Sequence, residues 1–422
     1  MVKNFTWRAG SILPKIEEHS DRKLQVIERY LEVYFDTVAA NPRQDRLNIT
    51  LVDAFCGGGL YDACQGGDPR PGSPLVLLEG VRRAEAKLNL GRIKPIRIDA
   101  DFLFSDARAD HLEHLRSTIQ SSEFSDFLGS SIHLKVGKFI DLLPDYIRHI
   151  RARQTAGRSI FILDQFGYSD VPMRSMQQLF ASLKKVEVLL TFSIDALLNY
   201  LGDNPSVEST IAQFGIDTGF LSKWQDWKLD AALGRSTAQR TIMESIASQS
   251  GAKFFTPFML RSPSDHRWMM LAHLSQNQAA RDKMLGVHWE LQNSFKHMGR
   301  GSLYQLGFDQ RCIESSASLF NFVEGDRATM ITELENELPR RVFDLIRGGE
   351  LAVQSLLEII GNQTAATNSD LFLVLGALSA DREIEIRKLN GGMKRPGTAI
   401  AASDTLLLPV QPKFFLPKPA GR

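Results

Sequence analysis

The sequence predicts an α/β protein: an open, mostly parallel seven-stranded sheet carrying a helical insertion, followed by a smaller C-terminal domain of helices and a β-ribbon. Three stretches carry this expectation. Ile49 to Val52 is a β-branched apolar run that reads as a buried strand, and it ends in the glycine-dense turn Asp53-Ala-Phe-Cys-Gly-Gly-Gly59. A second buried run, Ser159 to Asp164, also closes on a carboxylate. From about Cys312 onward strong strands give way to short amphipathic helices.

The strands and helices follow one another in the order such a sheet needs. Residues His19 to Ala40 place Leu24, Ile27, Leu31 and Tyr34 or Phe35 at helical spacing, giving an amphipathic helix that feeds the first strand. His19 and Lys23 lie one turn apart on it and share a face, which is either solvated or at the mouth of a ligand site. After the polar loop Asp62 to Pro71, Gly72-Ser73-Pro74 opens a helix from Leu75 to Lys87, with Ser73 as N-cap and Pro74 at the first helical position. Its free amides favour an anion, although ordinary capping accounts for the same residues. The second strand runs from Ile96 to Phe104, interrupted by Asp99 and Asp101, and closes at Ser105-Asp106; a helix from Asp110 to Gln120 follows. The third strand, Ile132 to Val136, ends in Gly137-Lys138-Phe139. The fourth continues past Asp164 as Gln165-Phe-Gly-Tyr168, and the fifth, Val186 to Ser193, leads into a helix from Ile194 to Leu201. A mostly helical insertion, Asn204 to Ser250 with Trp224 and Trp227, reads as a cap on the substrate side. Strands Lys253 to Leu260 and Arg267 to Leu274 flank a polar turn, and a helix from Gln278 to Gln292 closes the first domain at about residue 300.

Bulk properties exclude more than they assign. The 422 residues suffice for two or three domains. Lys and Arg total 50 against 49 for Asp and Glu, so any nucleic-acid surface has to be a local patch. Cys56, Cys64 and Cys312 are too few and scattered for a disulfide framework, and no histidine or third cysteine stands near the first two to suggest zinc. No apolar run reaches about 18 residues and the N-terminus has no signal-peptide core, so the expectation is a soluble cytoplasmic protein.

Glycines at the end of a first strand are suited to a ligand lying on bare backbone, and equally to a turn that binds nothing. The pattern D-x-F-x-G-x-G, here Asp53, Phe55, Gly57 and Gly59, resembles motif I of class I methyltransferases, which bind S-adenosylmethionine (SAM). A dinucleotide fingerprint fits less well, because its third glycine position is Asp62. The resemblance implies that the Asp53 to Gly59 loop, with Ser73, holds the methionine end, and that Asp106 accepts from the ribose hydroxyls. Adenine would fall to backbone near Gly137 or to Phe139, since Lys138 cannot accept a hydrogen bond. Asp164 and Tyr168 would orient the methyl acceptor, and Phe166 could stack on a planar substrate.

Taken as an ordered set, His19 with Lys23, Asp53 to Tyr61, Gly72-Ser-Pro-Leu75, the strand to Asp106, Phe161-Ile-Leu-Asp-Gln-Phe-Gly-Tyr168 and the late Trp289 helix resemble the bacterial three-Cys-motif partner proteins, TcmP. The resemblance covers roughly residues 5 to 300 and continues into the C-terminal domain, which resembles the GMT-like winged helix that often follows TcmP-type domains. It implies a Rossmann-like methyltransferase fold and a separate three-cysteine partner similar to radical-SAM enzymes. The family pattern has proline after the fourth-strand aspartate; Gln165 stands there and is expected to loosen the loop.

In the second domain, 312–422, Ile331, Leu334, Leu338, Val342 and Leu345 mark one helix, Leu351 to Ile360 a second and Asn368 to Ser379 a third. Strands Glu383 to Leu389 and Thr398 to Leu408 then flank a Gly-rich turn, which makes a winged helix. Lys388, Lys394 and Arg395 place positive charge at the wing tip, where phosphates would lie. The third helix has no Arg or Lys, so a protein contact is as well supported as DNA. The leading expectation is a SAM-dependent methyltransferase acting on a nucleic acid or a partner-delivered substrate. The alternatives are a non-catalytic scaffold for the three-cysteine partner, or a winged-helix nucleic-acid-binding protein that senses SAM.

Overall fold

The structure is a computed structural model; it describes residues 6–7, 12–62, 67–153, 157–165, 170–193, 242–261, 268–291, 324–347 and 349–409. Phe166, Tyr168, Cys64, Cys312, the expected helix Ile194 to Leu201 and most of the expected insertion, including Trp224 and Trp227, lie outside the described residues. The chain divides into two compact units, Met1–Val287 and His288–Arg422.

The first unit is built on a seven-stranded sheet. Its central strand β1 (Arg46–Asp53) is buried along almost its whole length, which is why it reads as an unbroken apolar run rather than an alternating one. A small hairpin of β2 (Leu60–Tyr61) and β3 (Arg70–Pro71) follows, standing apart from the main sheet. The other strands of the sheet are β4 (Arg97–Asp106), β5 (Ile132–Val136), β6 (Arg158–Asp164), β7 (Lys185–Phe192), β8 (Phe254–Arg261) and β9 (Trp268–Ser275). Their spatial order is β5-β4-β1-β6-β7-β9-β8. The first five are parallel and β9 runs antiparallel to both its neighbours. The chain therefore works outward from β1 to one edge and then restarts beside β1 at β6, leaving a topological switch point between these two strands. This is the mixed, mostly parallel seven-stranded α/β sheet expected from the sequence.

Helices cover the sheet. α1 (Glu18–Val38) and α2 (Ser73–Asn89) lie before and after β1 in the chain and pack on each other; α3 (Ala109–Gln120) follows β4. Two helices that the pattern reading passed over, α4 (Phe139–Ala152) and α5 (Met173–Ser182), supply much of the core. Leu143, Tyr146 and Ile147 of α4 and Met176 and Leu179 of α5 are buried with Val52, Phe161, Leu163 and Val188 of the central strands. Each such side chain is worth about 1.5–3 kcal/mol relative to exposure. The two aspartates inside β4 are tolerated because arginines meet them: Asp99 pairs with Arg46 and Arg153, and Asp101 with Arg153. α6 (Gln278–Leu291) follows β9.

In the second unit α7 (Glu324–Ile346) buries Met330, Leu334, Leu338, Val342 and Ile346, a stripe on one face that recurs every four residues. β10 (Leu351–Ala352), α8 (Val353–Ile360) and α9 (Asn368–Ala380) come next, then β11 (Glu385–Arg387) and β12 (Thr405–Leu407). Thr367 and Asp370 form a reciprocal capping box at the start of α9. The three short strands pair as β10-β12-β11. The ribbon strands are much shorter than expected, since residues 398–404 are irregular, with a turn at 402–403, instead of ladder. No described helix is long and apolar enough to cross a membrane.

Candidate functional site

Three aspartates converge at the carboxyl end of the sheet because three neighbouring strands end there. In the ladder Asp53 stands opposite Phe104 of β4 and Ile162 of β6, so Asp106 and Asp164, two residues further along, end just beyond it on either side. Asp53 is fully buried. Its Oδ1 accepts from the Phe55 N–H at 3.2 Å, while Oδ2 has no hydrogen-bond partner among the described residues. Burial raises its pKa to about 7, against a smaller downward pull from the nearby Ser73 hydroxyl and the Phe55 amide and a further upward push from Asp164 and Asp106.

Asp106 is fixed by the glycine turn. Its Oδ2 accepts from the Gly57 N–H at 3.1 Å and its Oδ1 from the Arg108 N–H at 2.9 Å. His111, buried in the first turn of α3, lies 3.2 Å from the same carboxylate without the alignment of a hydrogen bond. Gly57 and Gly59 adopt left-handed φ values of 59° and 86°, the conformation that calls for glycine at both positions. The turn is clasped from α3, where His114 Nδ1 lies 2.6 Å from the Gly58 carbonyl oxygen.

Asp164 is held from the other side by Lys23 of α1, whose Nζ lies 2.6 and 2.7 Å from the two carboxylate oxygens. Lys23 is therefore no solvated helix residue: its side chain is 8% exposed, against 39% for Asp164. The pair opens into a cavity lined also by Phe55, Tyr61, Ser73 and Thr191. Burial and the neighbouring Asp164 and Asp53 push the Tyr61 phenol upward, so it stays protonated as a donor.

Other expected site residues are placed differently. Ser73 is the first residue of α2 rather than its cap; Gly72 occupies the cap position, which frees the hydroxyl to face Asp53. Gly137 donates its N–H to the Asp106 carbonyl and so stays beside the ribose candidate. Phe139 does not: as the first residue of α4 it turns into the core at 1% exposure, and it is corrected here from cofactor contact to core residue. Gln165 is itself engaged. Its Oε1 accepts from the N–H groups of Asp170 and Val171, tying together the two ends of the segment that holds Phe166 and Tyr168. In the second unit Lys388 and Arg395 are exposed, whereas Lys394 is nearly buried, with its ammonium on Asp404 and the Ala399 carbonyl.

The residue that sequence reasoning missed is Trp7. Its indole lies on the Gly57–Gly58 backbone, 2% exposed, and donates to the Leu60 carbonyl at 2.5 Å. A Cβ on Gly58 would stand 2.1 Å from Trp7 Cγ. The ring meets Tyr61 and His111 edge-on at 5.3 and 4.8 Å. One tryptophan in an otherwise irregular N-terminal stretch gave no periodic signal. The polar groups here suit a cationic nucleoside such as SAM: a buried carboxylate with an unused oxygen, a second carboxylate pinned beside it and bare glycine backbone. The space over Gly57 and Gly58 suits it only once the indole has moved.

No family model matches the chain, and no curated protein matches it. Solved structures similar to it include a protein from Legionella pneumophila str. Philadelphia 1 of the family DUF519, at 7% identity and TM-score 0.31 over 60% of this chain and 85% of that one. They also include spermidine synthase from Thermotoga maritima, at 7% identity and TM-score 0.27 over 62% of this chain and 60% of that one. An assigned O-methyltransferase from Klebsiella pneumoniae matches at 11% identity and TM-score 0.27, over 62% of this chain and 91% of that one. The chain thus spans about three fifths of the spermidine synthase it matches.

Proposed function

We propose that the carboxyl end of the sheet binds S-adenosylmethionine and that the protein is a SAM-dependent methyltransferase. One observation carries this reading: a fully buried carboxylate, Asp53, at the switch point of the sheet, with an oxygen left unpartnered. Such a group costs stability unless a cation offsets it, and SAM brings an ammonium and a sulfonium. Asp53, Ser73 and the backbone near Phe55 would hold the methionine end, Gly57 and Gly59 would underlie it, and Asp106 would take the ribose. When bound, the cofactor supplies an electrophilic methyl group, and the protein's task is orientation and electrostatics. Asp164, held by Lys23, offers acceptor oxygens at the edge of the cavity to an N–H or O–H of the substrate. Phe166 and Tyr168 belong to the same proposed acceptor wall.

The finer assignment to the TcmP family, with a three-cysteine radical-SAM-like partner, rests on the ordered motifs. The seven-strand order agrees with it. We read the second unit as a winged helix, for its three helices and three-stranded ribbon in that order. Exposed Lys388 and Arg395 support a nucleic-acid contact there, while the uncharged α9 and the engaged Lys394 support a protein contact. Trp7 favours a second reading for the whole chain, in which the glycine turn is closed by the protein's own ring and the fold serves as a non-catalytic scaffold.

Calorimetric titration with SAM separates the two. The enzyme reading expects binding by the wild type, at least tenfold tighter binding by Trp7→Ala, and loss of binding by Asp53→Ala with an unchanged circular dichroism spectrum. Failure of Trp7→Ala to bind SAM removes the cofactor site and leaves the scaffold.

A further inference from the structure

Outside the glycine-turn end, one cluster combines donor atoms suited to a metal. Asp101 lies on the face of β4 that α4 covers, as Leu103 and Ser105 on the same face show by packing with α4 and hydrogen-bonding Tyr146. In the ladder Leu103 stands opposite His133 of β5, so His133 shares that face one strand over. His149, one turn beyond Tyr146 in α4, comes down on both. One donor atom from each of Asp101, His133 and His149 lies within 4.8 Å of the others.

The three are not equally satisfied. His149 Nε2 lies 2.7 Å from Asp101 Oδ2, and Arg153 Nη1 lies 2.7 Å from the same oxygen. His133 makes no hydrogen bond among the described residues; its ring stands edge-on to His149 at 5.4 Å. A half-buried imidazole with nothing to bind, beside an aspartate already oriented by an arginine, is a ligand set with its outer partner in place.

We infer that Asp101, His133 and His149 form a binding site for a borderline divalent transition cation of the zinc class. Two imidazoles and one carboxylate suit such an ion better than magnesium or calcium, which prefer all-oxygen sets. Metal–ligand bonds of about 2.1 Å in a tetrahedron set donors roughly 3.4 Å apart. The three donors therefore need only side-chain adjustment, and the ion takes the place of the His149–Asp101 hydrogen bond, with His149 ligating through Nε2 and carrying its proton on Nδ1. The cluster is within reach of solvent, since His149 is a third exposed. Asp101 precedes Asp106 by five residues, about 16 Å along the strand, so the site is separate from the glycine turn and would staple the edge strand β5 to β4 and α4.

The test is zinc titration of the chelator-treated full chain by calorimetry, with the visible spectrum of the Co2+-substituted protein as a second readout. One equivalent bound, a tetrahedral cobalt spectrum and a metal-dependent rise in Tm are expected. His133→Ala should lower zinc affinity at least tenfold while leaving the metal-free Tm nearly unchanged, because the ring makes no hydrogen bond to lose. His149→Gln, which keeps a donor for Asp101, should lower affinity likewise. No stoichiometric binding by the wild type, or binding that both variants retain, overturns the site.

Discussion

Replacing Asp53 by asparagine should stabilise the protein above neutrality, and the gain should disappear in acid. The native carboxyl titrates at about 7 instead of the ordinary 3.8, because burial disfavours its charged form. Between those two values the unfolded chain has lost its proton while the native protein retains it, so stability falls as pH rises through this window. At 1.36 kcal/mol per pH unit, ionising Asp53 inside the fold costs on the order of 4 kcal/mol. Asparagine is nearly isosteric, keeps an oxygen for the Phe55 N–H and has no charge to desolvate. Urea denaturation of both proteins at pH 3, 5.5 and 8 should give similar stabilities at the lowest pH and a difference approaching ~4 kcal/mol at the highest. A difference that stays flat across that window would refute the reasoning, since it would mean that the carboxylate is solvated or paired. The same titration bears on the ligand: a cation held against Asp53 draws the proton off, so SAM affinity should tighten as pH rises through about 7.

The Lys23–Asp164 pair should respond unequally to loss of either partner, because its members are unequally exposed. Asp164→Asn leaves a buried ammonium without its countercharge and should cost about 3–5 kcal/mol. Lys23→Met leaves a carboxylate that water can still reach and should cost about 1 kcal/mol; equal losses in denaturant titrations would contradict the burial argument. Gly58→Ala should expel Trp7. Gly58 has no left-handed φ, so the added methyl group meets the indole and not a backbone restriction. Gly58→Ala keeps all five tryptophans, so its emission should shift to the red of the wild type as the indole meets water, and a wild-type spectrum would show the ring is not seated on the turn.

The sheet was legible because buried parallel strands announce themselves. Ile49 to Val52 and Ser159 to Asp164 are apolar on both faces and end in carboxylates, and no helix of that length reads the same way. α4 and α5 were less legible. Pro144 interrupts the first, and the second is a ten-residue helix pressed between two strands. Asp53, Asp106 and Asp164 could be found from strand ends, since the ends of adjacent parallel strands meet whatever lies between them in the chain. The C-terminal ribbon is shorter than the expected strand Thr398 to Leu408, because Asp404 draws the Ala401 N–H and Lys394 into a turn ahead of β12.

Lys23 and Trp7 show what strand ends alone cannot supply. Both belong to the segment before β1, and both reach a site whose framework lies more than 25 residues further along the chain. Lys23 reads as surface by spacing, yet its ammonium holds both oxygens of Asp164 at the cavity edge. Trp7 fills the room that a nucleoside would need over the glycines. Three carboxylates at one end of a sheet attract a cation; one of them already has Lys23, and Asp106 has backbone N–H groups. Asp53 has only part of a partner set, and Trp7 stands on the turn beside it. The charge to be satisfied and the ring to be displaced therefore lie on the same turn, so a cationic ligand that entered there would relieve the first only by moving the second.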